Sequence, residues 1–286
     1  MSITSSAVLV ELNISVWTAN KLDKDTTTKL TADSNATSDA AQVRKNLMAG
    51  TTLRKDIADF AALCRTWHNS RTLPWADRGA RLLPTSLFMA YKTEANARRD
   101  TFTQLVDKFR LEYPKLMTTA AQHMGDLHDP ADYPSVDEVM DKFGFRLVFS
   151  PVPESGDFRV DIPNQELDAI RKEYDDNFVS RVDEAMRTPW EQLHKMLTSM
   201  STKLGLEEKT RWHDTFITNA QEMCGMLTHL NLTGDPKLED ARRKLESALI
   251  GLDIDDLKES EDIRTDVKGK LDTILSGFDW EDIGKE

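Results

Sequence analysis

The sequence predicts a mainly all-α protein: a long antiparallel helical hairpin, a small β-hairpin near its tip, and peripheral helices packed at the base. Three observations lead there. Apolar residues recur at spacings of three and four over most of the chain. Hydrophobic content is 39% and charged content 30%, a balance that suits long, partly exposed helices and is too apolar for wholesale disorder. Two long periodic runs, about 85–127 and 165–204, are separated only by a short helix and a hairpin at about 145–162, so they are placed to fold back on each other.

Taken in order, Val8, Leu12, Ile14 and Trp17 form a first apolar face, and their β-branched neighbours leave both helix and strand open over 7–16. Thr26 to Asp39, rich in Thr, Ser, Asp and Ala, reads as a connector. Ser38 is placed to cap a helix through Ala49 that Gly50 stops. Leu53, Ile57, Phe60, Ala61, Cys64 and Trp67 mark a helix over about 52–70. RTLPWADRGARLLP, residues 71–84, cannot be one helix, and Pro84 suits the first turn of the next.

That next helix carries Phe88, Ala95, Phe102, Phe109 and Leu116 at a seven-residue repeat, which favours packing along a partner helix; Pro114 should kink it. Ser135 to Glu138 is a capping box opening a short helix. Phe145, Leu147 and Phe149, then Phe158, Val160 and Ile162, alternate as two strands around PVPESGD. The second long helix should break or bend at Thr188-Pro189, and further helices follow at about 207–230, 235–250 and 259–276. The whole is predicted as one elongated domain, 1–250, with a loosely attached acidic helical tail, 251–286.

Composition narrows the function. No stretch has the roughly 18 consecutive apolar residues of a membrane helix, and the apolar run near the start is broken by Glu11 and Asn13, unlike a secretory signal. Cys64 and Cys224 stand alone and read as reduced, buried thiols of a cytoplasmic protein. The net charge of −12 is uneven: residues 1–115 hold 17 Lys and Arg against 12 Asp and Glu, and the last 36 residues hold 5 against 12.

Motifs that carry chemistry are scarce. There is no phosphate-cradling GxxxxGK[ST] loop and no GxGxxG after a strand, so no cofactor is expected. His123, Asp126, His128 and Asp129 contain metal-ligand types, but their spacing does not put two imidazoles on one face, and a helix end attracts His for its dipole. No metal is expected. Trp67-His68 and Trp212-His213 read as core tryptophans with half-exposed neighbours, beside no nucleophile signature, so no catalytic residue is assigned. Met186, Met196, Met200, Met223 and Met226 read as an adaptable core. Two candidate surfaces remain. One is the loop Leu73, Pro74, Trp75, Asp77, Gly79 and Arg81. The other is a basic patch of Arg54, Lys55, Arg65, Arg71, Arg78, Arg98 and Arg99, interleaved with Trp67 and Trp75, a composition suited to phosphate backbone and bases.

LNISVWTANKLD, TLPWADRGARLLP, SLFMAY and FRLEYPKL, spread over roughly residues 8–117, resemble a family of uncharacterised helical proteins from tailed bacteriophages and prophages; the LPWxDxGxRxLP run carries most of the likeness. The resemblance implies a viral protein of the infected bacterial cytoplasm and assigns no site residues. Some members lie among genes for a ring-forming ATPase and a protein with a metal-dependent adhesion fold, which implies a protein partner. The expectation is therefore a non-enzymatic phage accessory protein acting through protein–protein contact, as an assembly component or a modulator of a host system. A homo-oligomer is expected, because one partner helix would leave much of the seven-residue stripe wet. The alternative is a nucleic-acid-binding accessory factor in phage replication or recombination that uses the basic N-terminal half.

Overall fold

The computed structural model describes residues 3–76, 79–153, 164–205 and 215–280. They are mainly helical with a small antiparallel sheet, the class the sequence predicts. They form two compact units of interleaved chain: Met1–Glu11, Asn69–Tyr91 and Val148–Glu286 make the first, and Leu12–His68 with Lys92–Leu147 the second. Residues 251–286 fall in the first unit together with the helices that precede them. Contiguous stretches of sequence do not stay in one unit, because two strands, Ala7–Ser15 and Gly144–Ser150, and one long helix, Phe88–Met124, run from one into the other.

In the first unit, a one-turn helix α1 (Ile3–Ser6) leads into strand β1 (Ala7–Ser15), which settles the first apolar segment as strand. Its β-branched residues fit a pleated ladder, and it pairs antiparallel with a later strand β5 (Arg81–Pro84), Ala7 opposite Pro84 and Val10 opposite Arg81. A two-residue strand β4 (Leu73–Pro74) pairs with β5 in turn. The long helix α6 (Asn164–Leu204) is continuous through Pro189, where a break or bend was expected; it does not break. Ala185, Met186, Trp190, Leu193, Leu197, Met200 and Leu204 keep one apolar stripe buried on both sides of the proline, and that packing overrides one lost backbone hydrogen bond. Trp190 also donates through Nε1 to Asp235 at 2.9 Å.

Helices α7 (Thr215–Leu230), α8 (Pro236–Leu249), α9 (Ile254–Glu259) and α10 (Glu261–Ser276) complete this unit. Asp235 caps α8 from its position before Pro236. The acidic end of the chain is no loose tail. Leu257 of α9 and Val267, Leu271 and Ile274 of α10, the last three at three- and four-residue spacings, are buried in the same core as α6 and α8, while Glu261, Asp262 and Asp266 are exposed. Ser201 of α6 donates a short hydrogen bond to Asp272 of α10.

The second unit holds a two-stranded ribbon, β2 (Asn20–Leu22) against β3 (Arg44–Asn46), with helix α2 (Lys24–Asp33) between them in sequence. The segment expected as connector, Thr26 to Asp39, is thus helical over its first part, and the segment expected as helix, Ser38 to Ala49, holds a strand and turns. Asp23 caps α2 by accepting from Thr26 N at 2.9 Å, and Thr27, Thr28 and Thr31 return their hydroxyls to carbonyls one turn back. Helix α3 (Leu53–Ser70) forms as the spacing predicts.

Helix α4 (Phe88–Met124) contains Pro114 and runs on past it. Its Phe102, Phe109 and Leu116 are buried with α3 residues Leu53, Ile57 and Ala61 and with Trp17, and its Ala95 is buried as well. Trp17 lies edge-on to Phe109 and Tyr113 at 6.2 and 6.0 Å. The seven-residue stripe is therefore covered within the chain, and a second copy is not needed to finish it.

After α4 come two single 3-10 turns, Gly125–Leu127 and Pro130–Asp132, the capped helix α5 (Val136–Met140) and strand β6 (Gly144–Ser150). Among the described residues the sheet order is β4-β5-β1-β6. The other half of the expected hairpin, 158–162, lies outside the described residues, as do Trp212 and His213. Helix α4 lies mostly in the second unit and α6 in the first.

Candidate functional site

The motif loop is a folding element. Leu73 is fully buried, Trp75 is 5% exposed, and Trp75 stands edge-on to Phe178 of α6 at 5.2 Å with the Arg181 guanidinium 5.9 Å from its ring. Pro74 sits in β4 opposite Arg81. Arg81 donates from Nε to Thr72 Oγ1 at 2.7 Å and from Nη2 to the Thr72 carbonyl at 2.9 Å, which ties the two strands of the hairpin. Burial holds this guanidinium below the ordinary arginine pKa, with the neighbouring Tyr91 acting the other way. Gly79 has φ +96°, a conformation that L side chains rarely adopt, while a Cβ there would meet only the Glu11 carboxylate at 3.8 Å. Backbone conformation, not space, calls for glycine here. Asp77 and Arg78 lie outside the described residues.

Of the basic-patch residues, Arg54, Lys55, Arg65, Arg98 and Arg99 belong to the second unit and Arg71 to the first. Most heads are already engaged. Arg54 donates to the Trp17 carbonyl at 3.0 Å and Arg65 to the Ile14 carbonyl at 2.8 Å, fastening α3 to the chain around β1's end. Lys55 pairs with Asp59, and Arg98 with Glu94 at 2.6 Å while lying 4.7 Å over the Trp67 ring. Arg71 donates to Ser70 Oγ at 3.0 Å. Among the described residues Arg99 meets only its neighbour Asp100, at 3.7 Å. Exposed pairs of this kind contribute little to stability, but they leave few free donors for a phosphate backbone.

The metal-ligand residues also separate. His123 packs on Gly50, whose added Cβ would stand 2.1 Å from His123 Cδ2; Gly50 itself has φ +72°. Asp129 accepts from Ala131 N at 2.9 Å as the cap of a 3-10 turn. Among the described residues no group of three or more His, Cys, Asp and Glu is placed to hold a metal ion. His68, expected at a polar boundary, is buried at 5% exposure beside Trp67 because both sides of the α3 C-terminus are covered. Both thiols are buried, and burial raises their pKa, that of Cys224 to about 11. Met186 and Met200 are buried in the core, with Met196, Met223 and Met226 packed against it.

One polar cluster escaped the sequence. In the β2–β3 ribbon Lys21 stands directly opposite Lys45, a like-charge pair that would destabilise the ribbon by itself. Asp132 resolves it, reaching both ammonium groups at 2.9 and 2.5 Å with its own side chain 7% exposed. Burial pushes this carboxyl up, and hydrogen bonds from Lys45 and Lys21 outweigh it, so its pKa falls below the usual carboxylate value. Lys45 is raised by its bond to Asp132. Nearby, the buried Nδ1 of His128 has no hydrogen bond among the described residues, and the ring lies 5.4 Å from Tyr133. Strand register created this cluster, and nothing in the spacing of positions 21, 45 and 132 announces it.

Set against known proteins, no family model, curated protein or solved structure matches the chain. Among the described residues no helix is long and apolar enough to cross a membrane.

Proposed function

We propose that this protein is a non-enzymatic accessory protein of a tailed bacteriophage that works by holding another protein, as an assembly component or a modulator of a host system. The observation that carries the reading is the outer half of α6. From Glu166 to Arg181 most side chains face solvent, yet Ile170 is 36% and Val179 59% exposed, and Leu167, Tyr174 and Phe178 are only partly covered. Phe178 has Trp75 beneath it, and Tyr174 donates to the Pro153 carbonyl at 2.5 Å. A rigid helix with unfinished apolar surface gains roughly 25 cal/mol for each Å² a partner covers. The loop motif supports the phage origin through the resemblance it carries, and that resemblance points to a ring-forming ATPase as the partner to try first; a second copy of the chain is the other.

The nucleic-acid alternative has less support. The second unit, which contains most of the basic candidates, holds 16 Lys and Arg against 16 Asp and Glu, so it is neutral. The first unit holds 21 against 33 and carries the whole −12. Co-expression with the candidate phage ATPase, followed by size-exclusion chromatography with light scattering, tests the proposal. A defined complex or a homo-oligomer that Ile170→Glu and Val179→Glu dissolve, with melting unchanged, is expected. A strict monomer that leaves the ATPase free, together with tight salt-sensitive binding to DNA, would overturn it.

A further inference from the structure

The second unit contains a cleft that the proposed partner contact does not use. It measures about 260 Å³ and is lined by Ala95, Asn96 and Arg99 of α4 and by Phe145, Arg146 and Leu147 of β6. Its walls are regular elements, and its floor is apolar and held in place: Ala95 is 1% exposed, and the Phe145 ring is packed 5.8 Å from Phe102. Two arginines line this small space. Among the described residues the carboxylate paired with Arg99 is that of its exposed neighbour Asp100, at 3.7 Å, beyond hydrogen-bond reach. Arg146 makes no hydrogen bond or ion pair among the described residues. By comparison, Lys55, Arg98, Arg243, Lys244 and Lys270 each hold a carboxylate at 2.5–2.7 Å.

We infer that this cleft is an oxyanion site for a phosphate-bearing ligand. Two like charges beside one apolar floor repel each other, and an anion between them turns that repulsion into two attractions. Guanidinium groups suit phosphate because their planar forks donate in pairs, and the Asn96 amide adds a neutral donor. Ala95, Phe145 and Leu147 keep water from one side, which strengthens each of those bonds, and they offer contact to the carbon skeleton attached to the phosphate. The volume is below the roughly 300–1,000 Å³ of sites for drug-sized ligands, so the recognised group is a single phosphate and its immediate neighbours. The phosphate can come from a free monoester or from a polynucleotide.

Calorimetric titration of the full chain at low ionic strength separates these sources. Pyrophosphate and adenosine monophosphate are the free probes; a short single-stranded oligonucleotide, with and without a terminal phosphate, is the polymer probe. Saturable binding is expected, with Arg99→Gln and Arg146→Gln each weakening it about tenfold and the double variant abolishing it. Lys115→Gln, which removes the same charge further along α4, should leave binding as it was, and thermal melting should confirm that every variant is folded. Binding of the small probes, or a need for the terminal phosphate, upholds the site and assigns a monoester. Length-dependent binding indifferent to the terminal phosphate, and lost in the same variants, upholds the site and assigns polynucleotide backbone. No saturable binding of any probe, or binding that survives the double variant, overturns it.

Discussion

Trp75 shows what a single side chain contributes to this fold. Its ring closes the gap between the β4–β5 hairpin and α6, edge-on to Phe178, and Trp75→Ala should cost roughly 3–5 kcal/mol in equilibrium denaturation because the cavity left behind cannot collapse between two rigid elements. Gly50 is constrained twice, by its φ of +72° and by His123 Cδ2 at 2.1 Å from any added Cβ; Gly50→Ala should lower the melting temperature markedly, and His123→Ala should restore only the part due to the clash. Glu239 sets the acid limit of α8. A hydrogen bond from Arg242, opposed by burial and aided by Arg243, holds its carboxyl at about 2 instead of 4.5. A depressed folded pKa stabilises the fold above the unfolded value and loses that contribution as pH falls. Urea titrations should therefore find wild type more stable than Glu239→Gln at neutral pH, with the difference shrinking as pH drops from 4.5 toward 2.

Among elements, the two long helices each tolerate an interior proline for a reason visible in their packing. In α6 the buried stripe runs from Ala185 through Trp190 to Leu204 without a phase change, so core contacts hold the helix where local propensity would end it. In α4, Pro114 follows the fully packed Tyr113, whose hydroxyl donates to the Pro134 carbonyl at 3.0 Å. The β2–β3 ribbon depends on a residue far along the chain. Removing the Asp132 charge leaves Lys21 and Lys45 facing each other, and Asp132→Asn should loosen the ribbon. Faster amide exchange at Lys21 and Lys45, with exchange in α10 unchanged, is the outcome that would confirm the role.

At the level of the molecule, the interleaving of two units redistributes both charge and core. A positive N-terminal half by sequence becomes a neutral second unit, and the acidic end becomes the outer face of helices whose inner face is core. Deletion after Gly251 would strip Leu257, Val267, Leu271 and Ile274 from that core. The truncated chain is expected to aggregate or to show molten, non-cooperative melting, not to unmask a basic face; a soluble truncated chain with an unchanged melting curve would sink this view of the C-terminal helices.

Helix type and extent were legible wherever a stripe of three- and four-residue spacing was long: α3, α4, α6, α8 and α10 appear near their expected bounds, because burying such a stripe has one local solution. The fate of the motif was half legible, since two prolines and a glycine forbade a helix across 71–84 but did not reveal that Arg81 would tie Thr72 across a hairpin. Only the tertiary structure decided which segments became strand, where 7–15 found its partner in 81–84 and 44–46 found 20–22. It also placed the Asp132 carboxylate between two lysines and brought Arg99 and Arg146 to one cleft. Ladder pairing and side-chain charge clusters join residues remote in sequence, and local periodicity has no term for contacts at that range.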